Sequence, residues 1–194
     1  MALDSIIFDV DGTLVDTNPA HVEAWDRAFQ AHGYKVARDR IAVEIGKGGD
    51  LLVSAVLGQQ AEEEHGDDLR QANTEAYLQI TKREHFRVFP GVRDLIRTLR
   101  QRGLRVALAT SSKSNQLEAT LRSAGLEAEE LGDMVITASE AQTSKPAPDL
   151  VIASVRKQDL CPAQCAMVGD TPYDAEACKH AGVVCLGLLC GGNT

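Results

Sequence analysis

Apolar residues in this chain fall into two rhythms. Short runs at Ile6-Ile7-Phe8, 104–109, 134–136, 166–168 and 183–186 have the length and make-up of buried strands. Between the later runs, segments 92–102, 114–124, 148–157 and 171–181 carry apolar residues at helical spacing, and glycines at 103, 125 and 182 stop three of them. Strands alternating with helices predict parallel βαβ units with both sheet faces covered.

The stretch between the first strand and the second has a different pattern. Asn18-Pro19 reads as a helix start, with Asn as the cap and Pro in the first turn, and Val22, Trp25, Ala28 and Phe29 follow at helical spacing over 20–31. Further helices are predicted at 41–45, 51–57 and 62–84, the last mostly polar with a thin apolar face. No strand interrupts them until Phe89-Pro90-Gly91, the clearest linker in the chain. The fold class expected is therefore α/β: a Rossmann-like parallel sheet core over 1–16 and 88–194, with an all-helical insertion over 17–87.

Composition narrows the partners. The 194 residues suit one core domain with a smaller insertion, and 28 acidic against 20 basic residues give a net charge of -8. That balance argues against nucleic acid or an anionic membrane as main partner. No apolar run reaches membrane-spanning length and no leader pattern is present, so a cytoplasmic location is the default expectation. Five cysteines, all between 161 and 190 and without a Cys-x-x-Cys pair, read as free thiols rather than a metal site.

The chemistry is concentrated at strand ends. Asp9 and Asp11 leave the first strand on the same side of an extended backbone and run into Gly12-Thr13. Turn chemistry explains Asp11-Gly12 but leaves Asp9 without a reason, and two adjacent carboxylates repel unless a cation or proton is shared. Thr110-Ser111-Ser112 follows the second strand, Lys145 sits in the loop after the third, and Gly169-Asp170 follows the fourth, with Asp174 four residues further on. In an open parallel sheet these positions converge on one crevice. Singly, each has a bland alternative: a helix cap for Thr110 and Ser111, a solvated loop lysine for Lys145, dipole-favouring acids for Asp170 and Asp174.

Taken in order, Asp9-Val10-Asp11-Gly12-Thr13-Leu14-Val15-Asp16, Ala109-Thr110-Ser111-Ser112-Lys113, Ser144-Lys145-Pro146 and Gly169-Asp170-Thr171-Pro172-Tyr173-Asp174 resemble the four motifs of the haloacid dehalogenase superfamily, across nearly the whole chain. The first motif is similar to the version carried by its phosphatases and phosphomutases. The resemblance implies a Mg²⁺-dependent phosphatase acting on a small phosphorylated metabolite, phosphoglycolate or a sugar phosphate. Asp9 would be the nucleophile, and Asp11 the general acid and base, its neutral form favoured by burial and the neighbouring carboxylate. Thr110, Lys145 and backbone N–H groups around Gly12 and Ser111 would hold the phosphoryl oxygens. The metal would be held by Asp9, the Asp11 carbonyl, Asp170 and Asp174, the last directly or through water.

The insertion resembles the superfamily's helical cap. His21, Lys47 and the loop Gly46-Lys47-Gly48-Gly49 are candidates for leaving-group contacts, although His21 is equally a packing residue. The loop lacks Gly-Lys-Ser/Thr and a preceding strand, so it is not a nucleotide loop. A phosphomutase similar to β-phosphoglucomutase is the alternative, but the arginine such mutases carry near Gly49 is missing. A non-enzymatic phospho-acceptor module is a remote second alternative, disfavoured by the order of motifs. Family members continue beyond Gly191-Gly192 with a further strand and helix where this sequence stops at Thr194, so either the sheet has one edge element fewer or the sequence is cut short. Oligomeric state is left open.

Overall fold

The computed structural model describes residues 3–192. Five parallel strands, β1 (Ser5–Phe8), β2 (Arg105–Ala109), β3 (Met134–Ile136), β4 (Cys165–Gly169) and β5 (Val184–Gly187), form one sheet in the order β3-β2-β1-β4-β5. The helices are α1 (Asn18–Ala31), α2 (Arg38–Ala42), α3 (Gly49–Leu57), α4 (Gln59–Thr81), α5 (Val92–Gln101), α6 (Ser114–Ser123), α7 (Ala128–Leu131), α8 (Asp149–Lys157) and α9 (Pro172–Ala181). Each expected strand forms, with ends moved by a residue or two. The short α7 was not expected, since four residues show no helical period. The helix expected at 41–45 lies earlier, at α2.

Alternation along the strands sorts the core into two faces. Ile6, Phe8, Val106, Leu108, Ala166 and Val168 point to one side, where Ile96 of α5 and Leu117 and Leu121 of α6 cover them. Ile7, Ala107, Ala109, Cys165 and Met167 point to the other, under Leu150 and Val155 of α8 and Ala177 of α9. A strand buried on both faces has no polar side to show, which is why β1 reads as an unbroken apolar run. β5 is an edge strand, and Val184 and Leu186 on it are exposed.

Helices α1 to α4 build a separate apolar cluster around Trp25, Phe29, Leu52, Val53, Val56 and Leu69. The lower ends of α1 and α4 reach the sheet cluster through Ala20, Ala24, Tyr77 and Ile80, so the bundle is seated on the core. The two chain crossings run side by side: Asp16 N–H donates to the Arg87 carbonyl at 2.9 Å and Phe89 N–H to the Leu14 carbonyl at 3.0 Å. Pinned together in this way, the crossings hold α1 and α4 over the carboxyl ends of β1, β2 and β4.

Candidate active site

The crevice beyond the strand ends collects the chain's buried charges. Asp9, at the end of the central strand, and Asp170 and Asp174, beyond β4, offer carboxylate oxygens within 4.8 Å of one another, and all three side chains are buried. Lys145 reaches into this group, its Nζ 2.8 Å from Asp9 Oδ1 and 2.7 Å from Asp174 Oδ1, and is 1% exposed. Asp174 is fixed by the start of α9, where its Oδ2 accepts from Thr171 N–H at 3.1 Å and Thr171 Oγ1 at 2.6 Å. Asp170 accepts from Thr13 Oγ1 at 2.9 Å and from Asn18 Nδ2 at 3.0 Å.

Three carboxylates around one ammonium leave an excess of negative charge out of water. Burial, with Asp174 and Asp170 adding to it, pushes the Asp9 carboxyl well above its ordinary range against the pull of Lys145. Burial also raises Asp170. On Lys145 burial opposes the charge, but Asp174 and Asp9 outweigh it and hold the ammonium above the usual lysine range. The donor set is all oxygen, three buried carboxylates against one ammonium. A hard divalent cation fits this cluster in charge and in ligand chemistry.

Asp11 is in a different environment. Its Oδ1 accepts from Thr17 Oγ1 at 2.8 Å and lies 3.0 Å from His21 Nε2; its Oδ2 accepts from Ser112 Oγ at 2.9 Å and Thr110 Oγ1 at 3.2 Å. Burial works against the charge, but His21 and the two hydroxyls of Thr17 and Ser112 prevail and hold the carboxyl well below the usual carboxylate range. The expectation of a favoured neutral form is thus corrected: four side chains stabilise the anion. The Asp11 carboxylate is not among the three that form the acid cluster. Thr110, expected at the phosphoryl oxygens, donates instead to Asp11.

Other expected contacts are also revised. The Gly12 N–H is spent on the Val15 carbonyl at 2.8 Å, so it is no free donor. Gly12 matters for shape: its φ is +76°, and a Cβ there would collide with Asp170 and Asn18. Asn18 does not cap α1, because Thr17 occupies the cap position and the Asn18 amide crosses to Asp170 and, at 2.7 Å, to the Gly191 carbonyl. The Lys47 ammonium is paired with Glu44 and lies 4.8 Å from the centre of the Tyr173 ring, and its raised pKa reflects those partners overcoming burial. His21 is brought to Asp11 and stacks on Tyr77, ring centres 4.2 Å apart. Ser111 lines the crevice, its hydroxyl 3.4 Å from the Gly46 carbonyl.

The crevice has a volume of about 260 Å³, with Asp9 and Asp11 at its floor, the 46–49 loop and α4 on one wall and residues 110–113 on the other. From α4, Arg70 and Asn73 enter this lining, and neither was anticipated; in sequence they belong to a long polar helix with nothing to set them apart. Asp50 also lines it and accepts from Ser144 N–H at 3.1 Å, tying the loop side to the residue before Lys145.

The chain matches a family model, haloacid dehalogenase-like hydrolase, over residues 3–182. The chain belongs to that family. A phosphoglycolate phosphatase of Vibrio vulnificus is 31% identical over 194 residues, which cover 97% of this chain and 84% of the relative. A hydrolase of Pseudomonas syringae superposes with a TM-score of 0.88 at 29% identity, covering 97% of this chain and 85% of the other. CbbY of Rhodobacter sphaeroides, solved with xylulose-1,5-bisphosphate, superposes with a TM-score of 0.78 at 26% identity, covering 94% and 84%. Within this haloacid dehalogenase-like hydrolase, no helix of the described residues is long and apolar enough to cross a membrane.

Proposed function

We propose that this hydrolase is a Mg²⁺-dependent phosphatase that cleaves a small phosphomonoester through an aspartyl-phosphate on Asp9, with 1–16 and 88–194 as catalytic core and 17–87 as the cap over it. The observation that carries the reading is the division of labour between two acids two residues apart. Asp9 lies in a cation-seeking cluster, while Asp11 lies in a hydrogen-bonded pair with His21 at the crevice floor.

Asp9, Asp170 and Asp174 would hold the cation, with the Asp11 carbonyl as a further ligand. When bound it offsets negative charge on the nucleophile and the phosphoryl group. Lys145, fixed between Asp9 and Asp174, supplies a permanent positive charge at the same place. An Asp9 carboxylate oxygen attacks phosphorus in line, and the bond from phosphorus to the leaving oxygen breaks as the new one forms. The departing oxygen takes a proton from Asp11, which receives it across the hydrogen bond from His21. Water then attacks the phosphorus, gives a proton through Asp11 back to His21, and the bond to Asp9 breaks, releasing inorganic phosphate and restoring both carboxylates.

A mutase reading needs a second phosphate grip on the cap. The cap cations lining the crevice are already paired, Lys47 with Glu44 and Arg70 with Glu62 and Asp67, and Asp50 adds a carboxylate. That supports hydrolysis over transfer between two phosphate positions.

The test is phosphate release from a panel of small phosphomonoesters, with Mg²⁺ or with chelator, by the wild type and by Asp9→Asn. Metal-dependent release that falls by on the order of 10³ or more in the variant is expected. A folded wild type that releases phosphate from no ester overturns the reading.

A further inference from the structure

The wall of the crevice formed by α4 contains a polar group without a partner. Asn73 is 5% exposed, lines the crevice, and its Nδ2 makes no hydrogen bond. A buried amide left unsatisfied loses its hydrogen bonds to water without replacement, so a group in this position weakens the fold. Packing does not account for it: Asn73 sits among residues of α4 whose apolar face is carried by Leu69, Tyr77 and Ile80.

The charge around Asn73 limits what it can meet. One turn earlier, Arg70 has its guanidinium committed: Nη1 donates to Glu62 at 2.7 Å and to the Gly49 carbonyl at 3.2 Å, and Nη2 donates to Asp67 at 2.9 Å. Lys47 is tied to Glu44, and the Asp50 carboxylate faces the same space. Among the described residues, the cap side of the crevice thus offers hydrogen bonds and no cation outside an ion pair. Lys113, exposed on the core-side rim, is in no ion pair among the described residues and belongs to the opposite wall. A leaving group carrying a carboxylate or second phosphate toward α4 would meet acids without compensation. An uncharged hydroxyl would meet an amide that lacks a partner.

We propose that Asn73 is a specificity-determining residue that hydrogen-bonds a hydroxyl oxygen of the leaving group, and that the substrate class is the monophosphate of an uncharged sugar or polyol. This rests on the phosphatase reading and sharpens it. A site built to bond a hydroxyl discriminates strongly against an analogue lacking it, because the site's own group is left unpaired.

The test compares kcat/KM for a hexose 6-phosphate, a pentose 5-phosphate and glycerol phosphate with that for phosphoglycolate and an aryl phosphate, in wild type, Asn73→Leu, Asn73→Asp and Asn73→Ser. The expected wild type prefers a hydroxylated ester to phosphoglycolate. In Asn73→Leu the ratio of the best hydroxylated ester to the aryl ester falls about tenfold or more, Asn73→Asp, isosteric but without an N–H donor, falls with it, and Asn73→Ser, which keeps a donor, restores part of it. Thermal unfolding verifies that each variant is folded; should Leu prevent folding, the Asp and Ser variants carry the ratio. A parallel fall on both esters marks Asn73 as structural and overturns the proposal. An unchanged ratio means that water alone satisfies the amide, and a wild type preferring phosphoglycolate removes the uncharged leaving group; either overturns it while leaving the phosphatase intact. No turnover of any ester by folded wild type overturns both.

Discussion

His21, on the first turn of α1, places its Nε2 3.0 Å from Asp11 Oδ1, so the helical bundle supplies a partner to an acid just beyond β1. The imidazole is held from behind by stacking on Tyr77 of α4. In the proposed mechanism, proton delivery to the leaving oxygen would therefore depend on α1 and α4 being seated over the sheet.

Removing that imidazole should slow chemistry more than binding. His21→Ala is expected to lower kcat on the order of 10²-fold, the ordinary range for losing an acid–base partner, with a smaller change in KM. His21→Asn, which can still donate to Asp11, should recover part of the loss. Steady-state kinetics on one ester decides it: a change confined to KM would make His21 a binding residue.

Lys145 is expected to be indispensable to the fold as well as to turnover. Lys145→Met leaves Asp9 and Asp174 buried without their ammonium, and breaking a buried pair costs roughly 3–5 kcal/mol. Adding Mg²⁺ should recover more stability in the variant than in wild type, because the cation replaces the missing charge. Denaturant titrations of both proteins with Mg²⁺ and with chelator measure this, and equal recovery would contradict the charge argument.

Much of this site was legible in the chain because its residues sit at fixed offsets from strands. Asp9 and Asp11, Thr110, and Asp170 all follow apolar runs, and parallel topology brings such ends together whatever the side chains do. Lys145 was placed near the crevice by its loop after the third strand and by its motif, but nothing in Ser144-Lys145-Pro146 predicts its burial. What could not be read was the direction of each side chain. Asn18-Pro19 is a helix start whether the amide turns back to cap α1 or crosses to Asp170, and the sequence near it is the same in both cases. Asp11 and Asp9 look alike in sequence, yet His21, Thr17 and Ser112 surround one and carboxylates the other. Asn73 reaches the crevice, and Tyr77 stacks on His21, from a helix more than fifty residues beyond His21, and no local pattern encodes that meeting.

Metal dependence should be visible without activity. A ligand that binds only the folded state stabilises it by about 2.7 kcal/mol at a hundredfold excess over Kd. Mg²⁺ is expected to raise the wild-type unfolding midpoint, and Asp170→Asn should lose most of that rise, whereas Lys47→Ala, which removes a cation paired to Glu44 away from the acid cluster, should keep it. Thermal melts with and without chelator test it; a rise surviving in Asp170→Asn would place the cation elsewhere.

Tyr77 gives a pH signature on the alkaline side. Burial, with the Asp11 charge adding to it, pushes the phenol well above its ordinary pKa of 10.0, so it stays protonated in the fold while the unfolded chain ionises near that value. The folded state then binds more protons than the unfolded one above that pH. The associated stability is fully present below the unfolded pKa and is lost as pH rises from it toward the folded pKa. Tyr77 Oη also lies 2.6 Å from Thr120 Oγ1, a bond worth about 1 kcal/mol. Tyr77→Phe should therefore be less stable than wild type at neutral pH, and the gap should narrow as pH climbs past 10, where only the wild type must keep this buried phenol protonated. Unfolding free energies of both proteins between pH 7 and 11 provide the check, and a gap that widens with pH would mean the phenol ionises more readily folded than unfolded.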